Sequence, residues 1–466
     1  MNRTFGALPP DPPLDGSREL ADLVAGLPRL GDGAGLHRMR WFLDLFEADD
    51  WLAELDVVKI TGSKGKGSVG VMTAAVFEEL GISHGLYSSP HLRRWNERIV
   101  IAGESVGDEE LMAACRYTAE RLEEWHARCP HDRFGIFDAL TAVALVCFAR
   151  RRVPALIAEV GAGGRFDPVR VLPGPLAALT SLELEHTDFL GETLEQIAYN
   201  KADLCPDGGT LVVGAGLDAE ILRRLRGYAR VRGIRLVAVD DVCRLLDYRR
   251  QGAATSIDVE LRGQRLAGIE LALAGRHQWS NAIVAFLLAE DWMRRHRPRF
   301  DTSALLAAWR RGVARARLAG RFQQVAREPE IWIDVCHTAQ SAAALVELVQ
   351  EALAGHRILL VHGISTGRDF ASVGGPLVGL ADAVVCTRSR HRGLAVEDLD
   401  ELVGRMRPEL PRWQAATAEE ALVLARREAV RGGMTVLVAG SFFLCAEVAE
   451  TVAGHDPGQL RFFGGS

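Results

Sequence analysis

The stretch of sequence that decides the fold is LDVVKITGSKGKGS, residues 55–68. Residues 55–61 form a nearly continuous apolar run, which is typical of a strand covered on both faces of a parallel sheet. A glycine-rich turn follows, and a helical pattern then runs from about residue 68 to residue 80. Glycines let backbone N–H groups surround phosphate oxygens, the helix start adds a positive dipole, and Lys66 adds a mobile charge. The segment therefore predicts a phosphate-binding loop made of Gly62, Ser63, Lys64, Gly65, Lys66, Gly67 and Ser68.

Lysine is rare in this chain, and its distribution supports the phosphate-loop interpretation. Of the 55 Lys and Arg residues, 51 are Arg and four are Lys, at positions 59, 64, 66 and 201. Two of the four lie inside the glycine-rich turn, and a third lies in the strand before it. The spacing is shorter than the standard G-x-x-x-x-G-K-[ST], so a flexible surface turn is the alternative interpretation.

Composition and charge exclude several classes of protein. Hydrophobic residues make up 48% of the chain and charged residues 25%, which excludes disordered, collagen-like and coiled-coil proteins. The net charge of −6 leaves no basic field for nucleic acid. The eight Cys form no C-x-x-C pair, the N-terminus contains no apolar signal segment, and the longest apolar stretch, residues 139–149, is far shorter than the roughly 20 residues that span a bilayer. We therefore expect a cytoplasmic protein without nucleic-acid or membrane partners.

Strand-like runs alternate with helical patterns along most of the chain, which predicts a parallel α/β architecture. Further strands are expected at residues 85–88, 155–160, 177–181 and 211–214. A second series of four apolar runs follows: IWIDVC, RILLVHGI, DAVVCT and TVLVAG. We predict an N-terminal P-loop ATPase domain with a mostly parallel sheet at residues 1–318, and a smaller C-terminal Rossmann-like α/β domain at residues 319–466. The Arg- and Leu-rich region at about 215–270 gives no clear pattern.

Further motifs follow the glycine-rich turn in a fixed order. They are YSSPHL (87–92) with NERI (96–99), EVGAGGR (159–165), HTDFLG (186–191), G-x-HQ-x-x-NA (275–282), GRFQ (320–323) and GS (440–441). Together with the turn, they resemble the folylpolyglutamate synthase/dihydrofolate synthase family, a branch of the Mur ligase superfamily. The resemblance runs from about residue 36 to residue 450, which is nearly the whole chain.

This resemblance implies an ATP-dependent, ADP-forming ligase that activates a carboxylate as an acyl phosphate and joins it to an amino acid, usually glutamate. It implies Mg²⁺, with two metal positions in some relatives, held by Ser89, Glu159 and His186. Each lies at or just past a predicted strand end, where parallel sheets bind ligands. Taken singly, they would be interpreted first as a turn serine, a helix N-terminal carboxylate and a loop histidine, and only the spacing of the set favours a metal site. Lys201 lies where relatives have a lysine that can be carbamylated.

The resemblance also assigns residues to the nucleotide and to the chemical step. His277, Gln278 and Asn281 match the segment on the adenine side, and Arg321 and Asp334 match nucleotide contacts from the second domain. His337 matches a histidine placed near the γ-phosphate or the incoming amino acid. The expected catalytic residues are Lys66, Lys201 and His337.

The chain departs from the family pattern near the expected substrate sites. The family's D-G-A-H-N-P reads DVCHTA at 334–339, its L-D-A-T-N reads FDPVR at 166–170, and its D-K-D reads GRD at 367–369. Glu185 replaces the Asp before the metal histidine. These changes leave the acceptor open, either a folate- or pteroate-like carboxylate or another one. A non-catalytic nucleotide-binding homologue is a further alternative. We expect a monomer.

Overall fold

The computed structural model describes residues 16–28, 31–33, 35–46, 50–251, 254–460 and 462. The predicted absence of a signal segment concerns residues that lie almost entirely outside this description. In the described part of the chain, no helix combines the length and the apolar character needed to cross a membrane.

An eight-stranded sheet forms the centre of the N-terminal lobe, by which we mean all elements before residue 316. Its strands are β1 (Asp56–Thr61), β2 (His84–Tyr87), β3 (Ile99–Ile101), β4 (Glu104–Ser105), β5 (Ala155–Glu159), β6 (Leu176–Leu179), β7 (Thr210–Val213) and β8 (Arg235–Ala238). The order is β4-β3-β2-β5-β1-β6-β7-β8, and only the pairs β2–β3 and β3–β4 are antiparallel. The predicted mostly parallel sheet is confirmed, with the glycine-rich turn after its central strand.

Helices cover both faces of this sheet. They are α1 (Gly16–Ala25), α2 (Leu36–Asp44), α3 (Trp51–Glu54), α4 (Lys66–Glu79), α5 (Asp108–Arg128), α6 (Ile136–Arg150), α7 (Thr187–Leu190), α8 (Leu194–Ala202), α9 (Ala219–Val231), α10 (Val239–Val242), α11 (Gln278–His296) and α12 (Thr302–Arg315). Val57 faces the core on the α6 side, whereas Val58 and Ile60 face the core on the α4 side. The apolar run of β1 is continuous because both of its faces are buried.

The region without a clear pattern folds partly as a separate antiparallel sheet. Its strands are β9 (Cys243–Gln251), β10 (Ala254–Leu261) and β11 (Gln264–Leu271). Ile257, Val259 and Ile269 are fully buried against the α4 side of the large sheet. An alternation of apolar and polar residues in β10 was present in the sequence, and it is the signal that could have revealed this strand.

A six-stranded sheet forms the C-terminal lobe, by which we mean all elements from residue 323 onward. Its strands are β12 (Gln323–Arg327), β13 (Glu330–Asp334), β14 (Arg357–His362), β15 (Ala383–Cys386), β16 (Arg412–Gln414) and β17 (Met434–Ala439). The order is β12-β13-β17-β14-β15-β16, and all neighbours are parallel except β12 and β13. Sequence patterns predicted the four inner strands and missed the two edges, because edge strands are short and half exposed.

The helices of the C-terminal lobe alternate with its strands, as expected for an α/β domain. They are α13 (Ala339–Ala352), α14 (Phe370–Leu380), α15 (Val396–Met406), α16 (Ala418–Gly432) and α17 (Phe442–Val452). The carboxyl ends of its parallel strands lead into the segments that carry His337, Arg368 and Ser441. The predicted second α/β unit is thereby confirmed.

Candidate active site

The candidate site lies at the carboxyl edge of the eight-stranded sheet. The segments that follow β1, β2 and β6 carry the glycine-rich turn, Ser89 and His186, respectively, and Glu159 is the last residue of β5. These four strands run parallel, so their carboxyl ends open at the same edge. Sheet topology therefore gathers motifs that are far apart in the chain.

The glycine-rich turn has the geometry of a phosphate loop. Gly65 precedes the first residue of α4 with a φ of 83°, in the left-handed region that favours glycine. A Cβ atom on Gly62 would lie 2.0 Å from the Thr180 hydroxyl oxygen, so that position also requires glycine. Within the described residues no side chain caps the start of α4, and its N–H groups are therefore available for an anion.

The loop is held in shape by the segment after β6. The Lys64 N–H donates to the Ser181 hydroxyl at 2.8 Å, and the Ser63 N–H donates to the Ser181 carbonyl at 3.0 Å. The Lys66 ammonium donates to the Gly62 carbonyl at 2.8 Å. The loop is thus preformed, with the Lys66 charge folded against it.

Glu159 and Ser89 meet beside this loop. Glu159 is the last residue of β5 and is 4% exposed, and the Ser89 N–H donates to its Oε2 at 3.3 Å. Burial raises the pKa of Glu159, whereas Lys66 and Arg321 act in the opposite direction. A Cβ atom on Gly67 would lie 3.6 Å from the same Oε2, which places the carboxylate against the first turn of α4. A buried carboxylate at the phosphate loop suits a hard cation such as Mg²⁺.

The third expected metal ligand, His186, occupies a different segment. It precedes α7 with a φ of 47°, and its ring lies 5.3 Å from the ring of Phe189. In the part of the chain that the structure describes, no three His, Cys, Asp or Glu side chains come together as a metal site. An incomplete protein cage is ordinary for Mg²⁺, which keeps waters and binds substrate phosphates. The set of Ser89, Glu159 and His186 therefore remains a prediction.

Lys201 forms a buried ion pair with Glu185. Lys201 is 1% exposed, and its Nζ lies 2.8 Å from Oε1 of Glu185. Burial lowers the pKa of Lys201, while the charge of Glu185 acts against that decrease. Glu185 is also close to Ser63 and Lys66, since both lower the pKa of its carboxyl. The sequence indicated Lys201 but not this partner.

Gln278 and Asn281 lie directly on the phosphate loop. The Gln278 amide donates to the Ser68 hydroxyl at 3.3 Å, and the Asn281 amide donates to Oε1 of Gln278 at 2.9 Å. A Cβ atom on Gly65 would lie 2.8 Å from Oδ1 of Asn281. Burial lowers the pKa of His277, and the charge of Arg321 lowers it further. His277 therefore lies within electrostatic reach of the segment that connects the lobes.

The C-terminal lobe contributes Asp334 and His337 to the same cleft. Asp334 accepts hydrogen bonds from the backbone N–H groups of Phe322 at 2.8 Å and Cys336 at 3.0 Å. Burial raises its pKa, and the charge of Arg321 acts in the opposite direction. Asp334 thus holds the backbone of the residue after Arg321 and of the residue before His337.

His337 is held in one tautomer and points its free nitrogen away from the backbone. Its Nδ1 lies 2.9 Å from the Val335 carbonyl, which can only accept, so Nδ1 carries the proton. Burial lowers the pKa of His337, and the charges of Arg368, Arg321 and Lys64 lower it further. Because Lys64 belongs to the phosphate loop, His337 lies within electrostatic reach of that loop.

Comparisons with known proteins agree with this arrangement. The Mur ligase middle domain matches residues 126–289, and the glutamate ligase domain of Mur ligases matches residues 320–442. The dihydrofolate synthase/folylpolyglutamate synthase of Bacillus subtilis is 26% identical over 78% of this chain and 82% of its own length. The chain thus carries two Mur ligase domains and is similar to members of the folylpolyglutamate synthase/dihydrofolate synthase family.

Two further relatives define the extent of the similarity to this family. A probable bifunctional folylpolyglutamate synthase/dihydropteroate synthase of Halobacterium salinarum is 32% identical over 84% of this chain. The chain spans 46% of that relative, about half its length. The structure of Mycobacterium tuberculosis folylpolyglutamate synthase complexed with ADP superposes with a TM-score of 0.80 at 26% identity, covering 95% of this chain and 100% of that one.

Thr338, which departs from the family pattern, and Asp167, which matches the Asp of that pattern, both have structural roles in this chain. Thr338 accepts a hydrogen bond from the Ser341 N–H at 3.3 Å and caps the start of α13. Asp167 accepts hydrogen bonds from the N–H groups of Gly161 at 2.9 Å and Val169 at 3.0 Å, and burial raises its pKa to about 6. The Asp–Pro pair at 167–168 was a sequence signal for such a cap. Asp167 therefore shapes the loop that follows Glu159.

Proposed function

We propose that this chain is an ATP-dependent, ADP-forming amide ligase that activates a carboxylate as an acyl phosphate and joins it to an amino acid, with glutamate as the first candidate. The observation that carries the proposal is that Glu159 lies against the first turn of α4 at the phosphate loop, where its Oε2 accepts a hydrogen bond from the Ser89 N–H. His337 of the other lobe lies within electrostatic reach of Lys64 in that loop. A reaction that transfers a phosphoryl group to a second substrate needs such a cleft between two lobes. The names of the relatives support the same class of reaction.

We assign the binding of ATP to the phosphate loop and its neighbours. The loop N–H groups and Lys66 would hold the phosphates, and Gln278 and Asn281 would fix the loop from α11. His277, Arg321 and Asp334 would complete the nucleotide site from the cleft. We propose that the two domains comprise residues 1–318 and 319–466.

We assign Mg²⁺ to Ser89, Glu159 and His186. When bound, the ion neutralises charge that develops on the transferred phosphoryl group. Burial raises the pKa of Glu159, with Lys66 and the Ser89 N–H acting in the opposite direction, and a bound cation would favour its ionised form further. Glu159→Gln keeps the shape but removes the charge, and we expect the Mg²⁺ titration of nucleotide binding to shift to higher concentration. Mg²⁺ dependence equal to that of the original chain would remove Glu159 from the site.

Lys201 is the candidate for carbamylation. The reaction requires a neutral amine, and burial lowers the pKa of Lys201 in that direction. Glu185 stabilises the ammonium form instead, so carbon dioxide would have to compete with this ion pair. A carbamate signal in ¹³C NMR after equilibration with ¹³C-bicarbonate, absent in Lys201→Arg, would establish the modification.

His337 is the proposed group at the reacting centre. Its Nδ1 is already bound to the Val335 carbonyl, so Nε2 is the nitrogen that can contact the γ-phosphate or the incoming amine. Its lowered pKa keeps the ring neutral near pH 7, and a neutral Nε2 can accept a proton from the amine.

The acceptor is proposed as a folate- or pteroate-like carboxylate, with a non-folate carboxylate as the second candidate. The departures at Phe166–Arg170, Thr338 and Ala339 favour the second. The negative net charge supports a cytoplasmic enzyme without nucleic-acid or membrane partners, and we propose that it acts as a monomer.

The test is ADP release with a panel of acceptors and amino acids. ADP formation that requires one acceptor and one amino acid together supports the ligase. Nucleotide binding without ADP release under any combination would instead indicate a non-catalytic homologue.

A further inference from the structure

The segment that follows Ser89 reaches out of the N-terminal lobe and into the other lobe. Leu92 is 4% exposed and belongs to the apolar cluster of the C-terminal lobe, with Ile331, Ile333 and Val335. A Cβ atom on Gly320 would lie only 3.2 Å from Leu92, so the interlobe connection packs on it as well. Leu92 therefore makes an apolar packing contact between the lobes.

The next residue adds a charged contact across the same interface. Arg93 donates through Nε to Glu450 of α17, and its NH2 group lies 2.9 Å from Nδ1 of His455. Glu450 is 8% exposed, and His455 lies 3.2 Å from its second oxygen. The Glu450 side chain is 10% exposed and the Arg93 side chain 32%, so the carboxylate is the buried partner, and leaving it without a counter-charge is costly.

Glu97 keeps this segment rigid. Its carboxylate accepts hydrogen bonds from the backbone N–H groups of Leu92 at 2.8 Å, Arg93 at 3.2 Å and Arg94 at 3.0 Å. The segment starts at Ser89, whose N–H is bound to Glu159. A short rigid turn therefore connects the candidate metal carboxylate to α17 of the other lobe.

We propose that Leu92 and Arg93 form an interlobe latch that sets the orientation in which His337 and Arg321 face the phosphate loop. Arg93 and Glu97 are positioning residues, since they act on the site only through the segment that contains Ser89. The docking of the lobes is independent of the proposed function, and only its effect on turnover rests on that function.

The test compares the solution shapes of full-length variants by small-angle X-ray scattering. Arg93→Glu and Glu450→Arg each place like charges across the interface, and we expect the radius of gyration to increase in both. The double variant Arg93→Glu/Glu450→Arg restores an opposite pair, and we expect the original scattering profile to return. Arg94→Glu is the matched control, because Arg94 pairs with Asp108 within its own lobe.

Turnover provides the second measurement. Misplacing reacting groups by about 1 Å costs on the order of 100-fold in rate, so we expect kcat to fall by about that factor in Arg93→Glu and to recover in the double variant. We expect ATP affinity to fall less than kcat, because the phosphate loop belongs to one lobe and only the contacts assigned to Arg321 and Asp334 come from outside it.

Original scattering profiles in both folded single variants, or a double variant that stays as open as the single ones, overturn the latch. If Arg93→Glu does not fold, Glu450→Arg with Leu92→Ala decides the matter by the same measurement. The scattering result stands even if no substrate is turned over, so failure of the latch and failure of the proposed function can be told apart.

Discussion

Lys66 shows how a single residue is prepared for an anion. Its ammonium is bound to the Gly62 carbonyl at 2.8 Å, inside the loop that it is expected to serve. Glu159 and Glu185 lie close enough for Lys66 to lower the pKa of both carboxyls. The charge of Lys66 is thus balanced within the cleft before a phosphate enters.

We expect Lys66→Ala to abolish turnover and to leave the fold intact. The variant removes a positioned charge from the phosphates, and electrostatic contacts of this kind contribute about 10²–10³-fold or more to kcat. ADP release and the circular dichroism spectrum measure the two effects. ADP formation near the original rate would refute the phosphate-loop assignment.

A second residue-scale prediction concerns Glu447 of α17. It is 1% exposed, accepts a hydrogen bond from the Arg390 N–H at 2.7 Å, and burial raises its pKa from 4.5 to about 7. The folded protein therefore binds a proton more tightly than the unfolded chain. The contribution of Glu447 to the free energy of unfolding falls as the pH rises from 4.5 to about 7 and is level on either side. The total decrease is about 3 kcal/mol.

Glu447→Gln keeps the oxygen that accepts from Arg390 and cannot ionise. We expect the decrease in the free energy of unfolding between pH 4.5 and about 7 to be smaller in this variant, because the share of Glu447 is lost. Urea unfolding at several pH values measures it. Glu401→Gln, at an exposed ion pair, serves as the control and keeps the original pH dependence. A Glu447→Gln curve parallel to the original would contradict the raised pKa.

At the scale of elements, the junction of β1 and α4 depends on a tight backbone. Gly65 adopts a left-handed conformation immediately before α4, and α11 presses Asn281 against it. The contact joins two helices that carry the loop and its expected nucleotide neighbours. A side chain at position 65 would meet both a backbone strain and a steric limit.

We expect Gly65→Ala to weaken ATP binding by at least tenfold and to destabilise the fold by about 1–2 kcal/mol, since an L-residue in the left-handed region costs that much. Calorimetric titration with ATP and thermal unfolding measure the two quantities. Gly107→Ala is the matched control: Gly107 also precedes a helix, but its φ is −70° and a Cβ there contacts nothing within 4 Å. Equal ATP affinity in both variants would argue against a tight loop.

At the scale of the whole molecule, two lobes share one cleft. The N-terminal lobe carries the phosphate loop and Glu159, the C-terminal lobe carries His337, and Arg321 lies in the segment that connects them. A second contact between the lobes joins β9 to α13, where the Tyr248 hydroxyl lies 3.4 Å from Glu351. The substrates would meet between these contacts, so the acceptor site depends on both lobes.

If the departures at Phe166–Arg170, Thr338 and Ala339 reshape the acceptor and amino-acid pockets, we expect dihydropteroate or tetrahydrofolate to be turned over poorly with glutamate, although ATP binds normally. A site that pairs the polar groups of one substrate rejects another by up to about 10⁴–10⁵-fold when those partners are missing. Thr338 replaces an Asn of the family pattern, and here its hydroxyl is used to cap α13. Initial rates with each acceptor provide the measurement. Efficient polyglutamylation of folate would contradict the hypothesis that the acceptor has changed.

The sequence by itself determined the architecture and the phosphate loop. The apolar run before Gly62 predicts a strand buried on both faces. Gly62 and Gly65 indicate a tight turn at positions where a side chain would not fit. Both signals are local. The ordered motifs also predicted that Ser89 and Glu159 belong together, and the structure joins them by a hydrogen bond. The local pattern was enough to predict the strand and the turn, because both depend on residues that are neighbours in the chain. The order of the motifs was enough to pair Ser89 with Glu159.

Only the tertiary structure decided which distant groups meet. Gln278 contacts Ser68 across 210 positions, Lys201 pairs with Glu185, and Leu92 is buried in the lobe to which it does not belong in sequence. None of these contacts has a local pattern, because each follows from how two sheets and their loops are arranged in space. The physical reason is that burial and pairing depend on the surroundings of a side chain, which the fold assembles from remote segments.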